Sequence, residues 1–449
     1  MKPTRPRATK ALHRRISCAV LALGAAVAVA TTTAASPATV AATVAAGPND
    51  VLLQWNVVAQ QHTIPLRPTA HGQARGMAMV AGAVYDAANA VDGGHQPYLL
   101  DLDALELEDG ASLDAAIATA AHHVLVAIVP EAARPGLDTT YATTLDAIPD
   151  GAAEDEGVRA GAAAARAMLD SRVGDGFMVD FAPVIGSGPG DWRPATPTAI
   201  DPDDWVGHLR PFLMKSPDQF QTGGPNSLTS DKYTKEFNEV KELGSLTSSK
   251  RTEDQTRAAI FWQAAPIALW YGAFREVVDA RGIGAADGAR LFAMIGLASA
   301  DGGIACWNDK YRWSFWRPIA AIREADTDGN PNTIADPGWR SLFDPATPTT
   351  PPLGTPPFPE HPSGHGCVSG ATLGAAAAFF GTDKVAITVR SSHFPDHPRT
   401  FERLSHVVKE IIDARVWGGI HFRSADVQGA VIGSEVVRWM ERNYFAPTS

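Results

Sequence analysis

The stretch His361-Pro-Ser-Gly-His-Gly-Cys-Val-Ser-Gly370 constrains this chain more than any other. Pro362 and Gly364 make 361–365 a poor helix interior, since proline lacks a donor and glycine carries a high entropic cost. The alanine-rich run 368–380 that follows reads as a helix. Ser363 and Gly364 therefore sit at a helix N-terminus, where the first N–H groups lack intrahelical partners and the dipole is positive. A tetrahedral anion fits there, held by backbone donors and the serine hydroxyl, with Gly364 admitting close approach. Alone this is a weak signal, because many helices begin with Ser-Gly.

Two further segments carry matching chemistry. Upstream, Lys310-Tyr-Arg-Trp-Ser-Phe-Trp-Arg317-Pro318 sets a lysine and an arginine seven residues apart. On one unbroken helix they would share a face about 10 Å apart, from a rise of ~1.5 Å per residue; Pro318 more naturally opens a new helical stretch and brings them closer. A solvated face is the ordinary reading of such a pair. Here Trp307, Tyr311, Trp313, Phe315 and Trp316 argue for burial, and buried cations require an anionic partner. Downstream, Gly418-Gly419 should end the helix carrying Arg415, so that His421 enters at a turn before a helix starting near Ser424.

Residues 1–46 begin with six positive charges, continue with an apolar stretch over 16–30 and end in small residues, the pattern of a secretory signal peptide. The apolar core is short for a transmembrane anchor, which needs ~20 residues. Without that segment, 32 Lys+Arg face 49 Asp+Glu, a net charge of −17. Such a surface repels nucleic acid and anionic membranes. After residue 46 no run approaches 18 apolar residues, so the mature chain is expected to be soluble and secreted. Cys306 and Cys367 flank the pocket segments and should lie near each other, either bridged, as export permits, or as two buried thiols.

The rest reads as all-α, in two four-helix-bundle-like halves with long Pro/Trp-rich loops. Helical patterning covers 51–90, 113–129, 152–169, 251–274 and 285–300, and nothing alternates with period two for long. Residues 47–245 form an N-terminal helical region and 246–449 a C-terminal bundle carrying the site, with a soft boundary near 240–250. The irregular stretches 182–230 and 326–361 are expected on the pocket rim.

Taken in order, Lys310-x6-Arg317-Pro318, Pro362-Ser363-Gly364-His365 and Arg415-x5-His421 resemble the three-part signature of the vanadium-dependent haloperoxidase and type 2 phosphatidic acid phosphatase superfamily. The chain departs from it twice: Ala414 replaces the usual Ser, and Asp426 follows His421 by five positions instead of four. The resemblance implies that Lys310, Arg317, Ser363, Gly364 and Arg415 bind the oxygens of vanadate or phosphate. It further implies that His421 coordinates vanadium or attacks phosphorus, with His365 as acid–base. The chemistry agrees, since guanidinium groups bind oxyanions bidentately, lysine adds a point charge, and an imidazole with a reference pKa near ~6.5 suits proton transfer. Phe358, seven residues before His365, matches an aromatic in fungal chloride-oxidising members; a rim aromatic without such a role is the plainer reading.

Because vanadate and phosphate share charge and shape, the motifs admit two activities. One oxidises a halide with hydrogen peroxide; the other is an acid phosphatase acting on phosphomonoesters through a phosphohistidine. The absence of membrane spans after residue 46, the long helical region and the Trp/Pro-rich loops favour the haloperoxidase. A zinc site on His361, His365 and His421 is disfavoured by Pro362, Gly364 and three nearby cations, and a purely oxyanion-binding protein would not need two histidines.

Overall fold

The computed structural model describes residues 50–63, 69–196, 201–344 and 354–448; the signal-like segment 1–46 lies outside them. Residues Gly47–Ser449 form one compact unit. The N-terminal part contributes α1 (Asp50–Thr63), α2 (Ala70–Asp92), the short α3 (Leu102–Leu105), α4 (Leu113–Ile128), α5 (Arg134–Leu145) and α6 (Ala152–Ser171). After a long irregular stretch come α7 (Asp231–Leu243), α8 (Glu253–Phe261), α9 (Pro266–Arg281), α10 (Ala285–Trp313), α11 (Pro318–Arg323) and α12 (Gly364–Phe380). The chain closes with strands β1 (Ile387–Ser391) and β2 (Phe394–Phe401), then α13 (Leu404–Trp417) and α14 (Arg423–Asn443).

Helices α2, α4 and α6 pack on one another, as do α10, α12 and α14, and α2 lies against α10 to join the two groups. Mainly helical architecture is as expected. The antiparallel hairpin β1–β2 is the departure: β1 buries alternate residues Ile387, Val389 and Ser391 against α9, whereas β2 carries Pro395 and Pro398 and is largely exposed. One buried face of five residues is too short a period to stand out in sequence.

Helix α10 runs thirteen residues past the expected end at residue 300 and is the organising element. Among the described residues it alone is long and apolar enough to cross a membrane, with a mean hydropathy of 1.3 over its best window, yet 94% of that window is buried in the protein. It is a core helix, and its buried acids hold the irregular stretch 201–230. Asp301 accepts from the N–H groups of Phe212, Leu213 and Met214 at 2.7–2.8 Å. Asp309 accepts from both the N–H and the hydroxyl of Thr222. Trp307 Nε1 and the Tyr311 hydroxyl donate to Asp201 at 3.0 and 2.5 Å. Each buried carboxylate is thereby satisfied by several donors, which offsets its desolvation.

The backbones of α12 and α14 touch along a glycine seam. A Cβ on Gly433 would stand 2.4 Å from Ala371 N, and one on Gly429 would stand 2.7 Å from Ser363 O. Both obstacles are backbone atoms, so neither can rotate away. We expect Gly433→Val to destabilise the fold by ~1–3 kcal/mol through overpacking, read as a lower urea midpoint; an unchanged midpoint would contradict this packing account.

Candidate oxyanion site

The three sequence segments meet where α10 ends, α11 and α12 begin, and α13 passes to α14. Lys310 lies in the last turn of α10, which Ser314 ends in a left-handed conformation. Arg317 is the N-cap of α11 with Pro318 at its first position, as the proline suggested. Helix α12 begins at Gly364, four residues earlier than expected, with Ser363 as its N-cap accepting from Gly366 N. Helix α13 stops at Gly418, and His421 sits in the short link to α14.

Lys310, Arg317, Ser363, Arg415 and His421 are all buried, none more than 2% exposed. Arg317 Nη1 reaches His421 Nε2 at 3.1 Å and also donates to Ile420 O, while its Nε donates to Phe358 O. Arg415 Nη1 donates to Trp262 O and to Gln263 Oε1. Among the described residues, five buried atoms around this group have no hydrogen-bond partner: Arg317 Nη2, Arg415 Nε, His365 Nε2 and both carboxyl oxygens of Asp426. Burial lowers the pKa of Arg317 to about 10 and of Arg415 to about 9, and drives His365 and His421 well below the usual imidazole value.

Two of the residues serve differently from the expectation. All three ammonium donors of Lys310 go to carbonyl oxygens, of Pro359, Glu360 and Pro362, so it secures the segment leading into α12. The Ser363 hydroxyl faces Asp426 on α14. Gly364, His365, Arg415 and His421, by contrast, line a cavity of about 380 Å³. A Cβ on Gly364 would stand 2.9 Å from the Trp307 ring, so a larger residue would displace that wall. Phe358 also lines the cavity, packed on Trp307 at 4.8 Å between ring centres.

The acid that orients His421 was not read from the sequence. Glu360 Oε1 lies 2.9 Å from His421 Nδ1 and accepts at 2.9 Å from Phe422 N–H. This assigns the proton to Nδ1 and leaves Nε2 as the lone-pair atom facing Arg317. Asp426, five positions after His421, sits instead beside Ser363 and Arg415. Burial raises the carboxyl pKa to about 8 at Glu360 and about 7 at Asp426. Three buried cations thus face only two weakly ionised carboxyls, with two orphaned guanidinium donors and the free His365 Nε2 besides. That is the donor set of a site for a multiply charged oxyanion.

His361 turns away, its Nε2 2.9 Å from the Thr222 hydroxyl. Among the described residues no group of three or more His, Cys, Asp or Glu is placed to hold a metal ion. Cys306 and Cys367 are neighbours as expected, each a buried free thiol. Cys306 Sγ points to Pro362 O at 3.6 Å.

Comparison with known proteins agrees with this geometry. A family model for the VCPO second helical-bundle domain matches residues 290–445. Vanadium chloroperoxidase from Curvularia inaequalis is 34% identical over 145 residues, which cover 28% of this chain and 23% of that protein, so the match spans about a quarter of that relative's length. The crystal structure of a bacterial vanadium-dependent iodoperoxidase aligns with a TM-score of 0.73 at 20% identity, covering 89% of this chain and 97% of that one. That of a holo-type bacterial vanadium-dependent chloroperoxidase aligns with a TM-score of 0.60 at 16% identity, covering 89% and 93%. Residues 290–445 therefore match the VCPO second helical-bundle domain, and the chain has the fold of the vanadium haloperoxidases.

Proposed function

We propose that this chain is a vanadate-dependent haloperoxidase that oxidises a halide with hydrogen peroxide to hypohalous acid and water. The observation that carries the reading is that Arg317 lies 3.1 Å from the lone-pair nitrogen of His421, that His365 and Arg415 line one cavity with it, and that Arg317 Nη2, Arg415 Nε and His365 Nε2 are buried without partners. Vanadate, once bound, would supply a Lewis acid that activates peroxide for two-electron transfer without changing its own oxidation state.

The protein's part is to hold and to move protons. His421 Nε2, fixed in its tautomer by Glu360, would be the coordinating atom. Arg317, Arg415 and the first N–H groups of α12 would hold the anion's oxygens, donors set in place before reaction. Lys310 holds the 359–362 segment and adds positive charge from behind it. The reaction consumes a proton, and His365 Nε2, buried and unpartnered, is the atom to deliver it. Arg415 is one cause of the low pKa of His365; an anion paired with Arg415 offsets that cause and makes the imidazole more basic.

Phosphate would fit the same donors, so the test runs two assays together. Orthovanadate is added to the purified protein, and bromide oxidation by peroxide is followed beside phosphomonoester hydrolysis. Vanadate-dependent bromide oxidation is the expected result. Hydrolysis inhibited by vanadate, with no halide oxidation at any pH, would replace the proposal with the phosphatase reading. We further propose that 1–46 is an export signal and the enzyme is secreted; N-terminal sequencing of protein from the culture medium tests this directly.

A further inference from the structure

The cavity is larger than the proposed chemistry requires. The oxygens of vanadate and peroxide together with one halide, counted at ~30 Å³ each as for water, occupy roughly 210 Å³. The cavity measures about 380 Å³ and so leaves about half its space. Ile267, Trp307, Pro356, Pro357 and Phe358 wall the cavity, an apolar surface of the kind that takes an organic molecule.

A second polar group faces the same space. Asp203, from the irregular stretch before α7, lines the cavity and is 5% exposed. The Thr69 hydroxyl and the His71 N–H engage its carboxyl, but Oδ1 has no partner among the described residues. His71, edge-on to Trp307 at 3.9 Å, completes that wall. The unpartnered oxygen calls for a donor on the ligand. Lys310, Arg317 and Arg415 nearby disfavour a cationic amine, and burial raises the Asp203 carboxyl pKa to about 7, so Oδ1 is matched by a group that can both donate and accept, a neutral hydroxyl on an apolar, planar body.

We infer that the cavity binds its organic acceptor, a hydroxylated aromatic molecule whose O–H donates to Asp203 Oδ1 while its ring lies against Trp307 and Phe358. This rests on the haloperoxidase reading. Hypohalous acid formed at the His365–His421 end meets the ring in place. The carbon–halogen bond forms, the ring C–H bond breaks, and the released proton joins the hydroxyl of the hypohalous acid as water.

The test uses 1-naphthol, which reagent hypobromous acid brominates at two ring positions. Calorimetry on the vanadate-free protein should show one-to-one binding, lost in Ala70→Phe, which fills the cavity from the half-exposed start of α2. Asp203→Leu should weaken binding tenfold or more, the loss of one hydrogen bond to a buried carboxyl; Asp203→Asn, which keeps an acceptor, should weaken it less. With vanadate, bromide and peroxide, the wild type should give an isomer ratio different from the reagent's, and Ala70→Phe should revert to the reagent's ratio. No binding, binding indifferent to both positions, or a reagent-like ratio in the wild type overturns the inference while bromide oxidation in the same preparation still stands. Binding without vanadate-dependent bromide oxidation removes the halogenation step and, with it, the parent reading.

Discussion

His421→Ala is expected to abolish vanadate-dependent halide oxidation and to weaken vanadate binding by more than ~100-fold. The lower bound follows from outer-shell partners of metal ligands, whose loss costs ~10–100-fold in affinity; losing the ligand itself must cost more. The fold should survive, because each neighbour keeps a partner. Arg317 Nη1 retains the carbonyl of Ile420, and Glu360 retains the N–H of Phe422. Equilibrium dialysis with vanadate gives the affinity, and near-UV circular dichroism reports whether the tryptophan-rich core is intact. A folded variant that binds vanadate like the wild type would exclude His421 as the coordinating residue, whatever its activity.

The parts of this site legible in sequence are those set by local chemistry. Pro318 and Ser363-Gly364 announce helix starts, and Gly418-Gly419 announces a stop, because proline, glycine and serine act through their own backbone. Aromatic neighbours marked Lys310 and Arg317 as buried. Local chemistry does not say what a buried group touches. The carbonyls that absorb Lys310 lie 49 to 52 residues further along the chain, and the carboxylate that holds the 212–214 turn comes from Asp301, nearly ninety residues on. Such pairs leave no periodicity. The same limit hid Glu360: the family spacing points to an acid shortly after His421, while the residue that supplies it lies 61 positions before it, two residues ahead of Pro362. A usable signal existed, since an acid embedded in Phe-Pro-Glu-His-Pro beside a buried cationic segment is hard to explain as a solvated charge.

Glu360→Gln should lower vanadate affinity by ~10–100-fold, the usual consequence of losing the partner that orients a coordinating imidazole. Glutamine fills the same volume and can still accept from Phe422 N–H, so the fold loses little. What it removes is the carboxylate that, with its single oxygen 2.9 Å from both His421 Nδ1 and Phe422 N, fixes the ring and its tautomer together. The glutamine oxygen in that place can still accept from Nδ1–H, but a neutral amide holds the protonated nitrogen less strongly than a carboxylate does, so the lone pair is less firmly reserved for Nε2. Glu360 is thus a positioning residue, and its signature is a raised vanadate dissociation constant with halide oxidation partly recovered at saturating vanadate. Glu360→Ala should be more severe, because it also strands the Phe422 N–H in the interior. The decisive comparison is with Asp426→Asn: Asp426 lies beside Ser363 and Arg415, and neither of its oxygens is hydrogen-bonded to the His421 ring, so that change should raise the dissociation constant less than Glu360→Gln does. If Asp426→Asn proves the more damaging in vanadate binding, the orientation of His421 runs through α14 and not through the segment before α12.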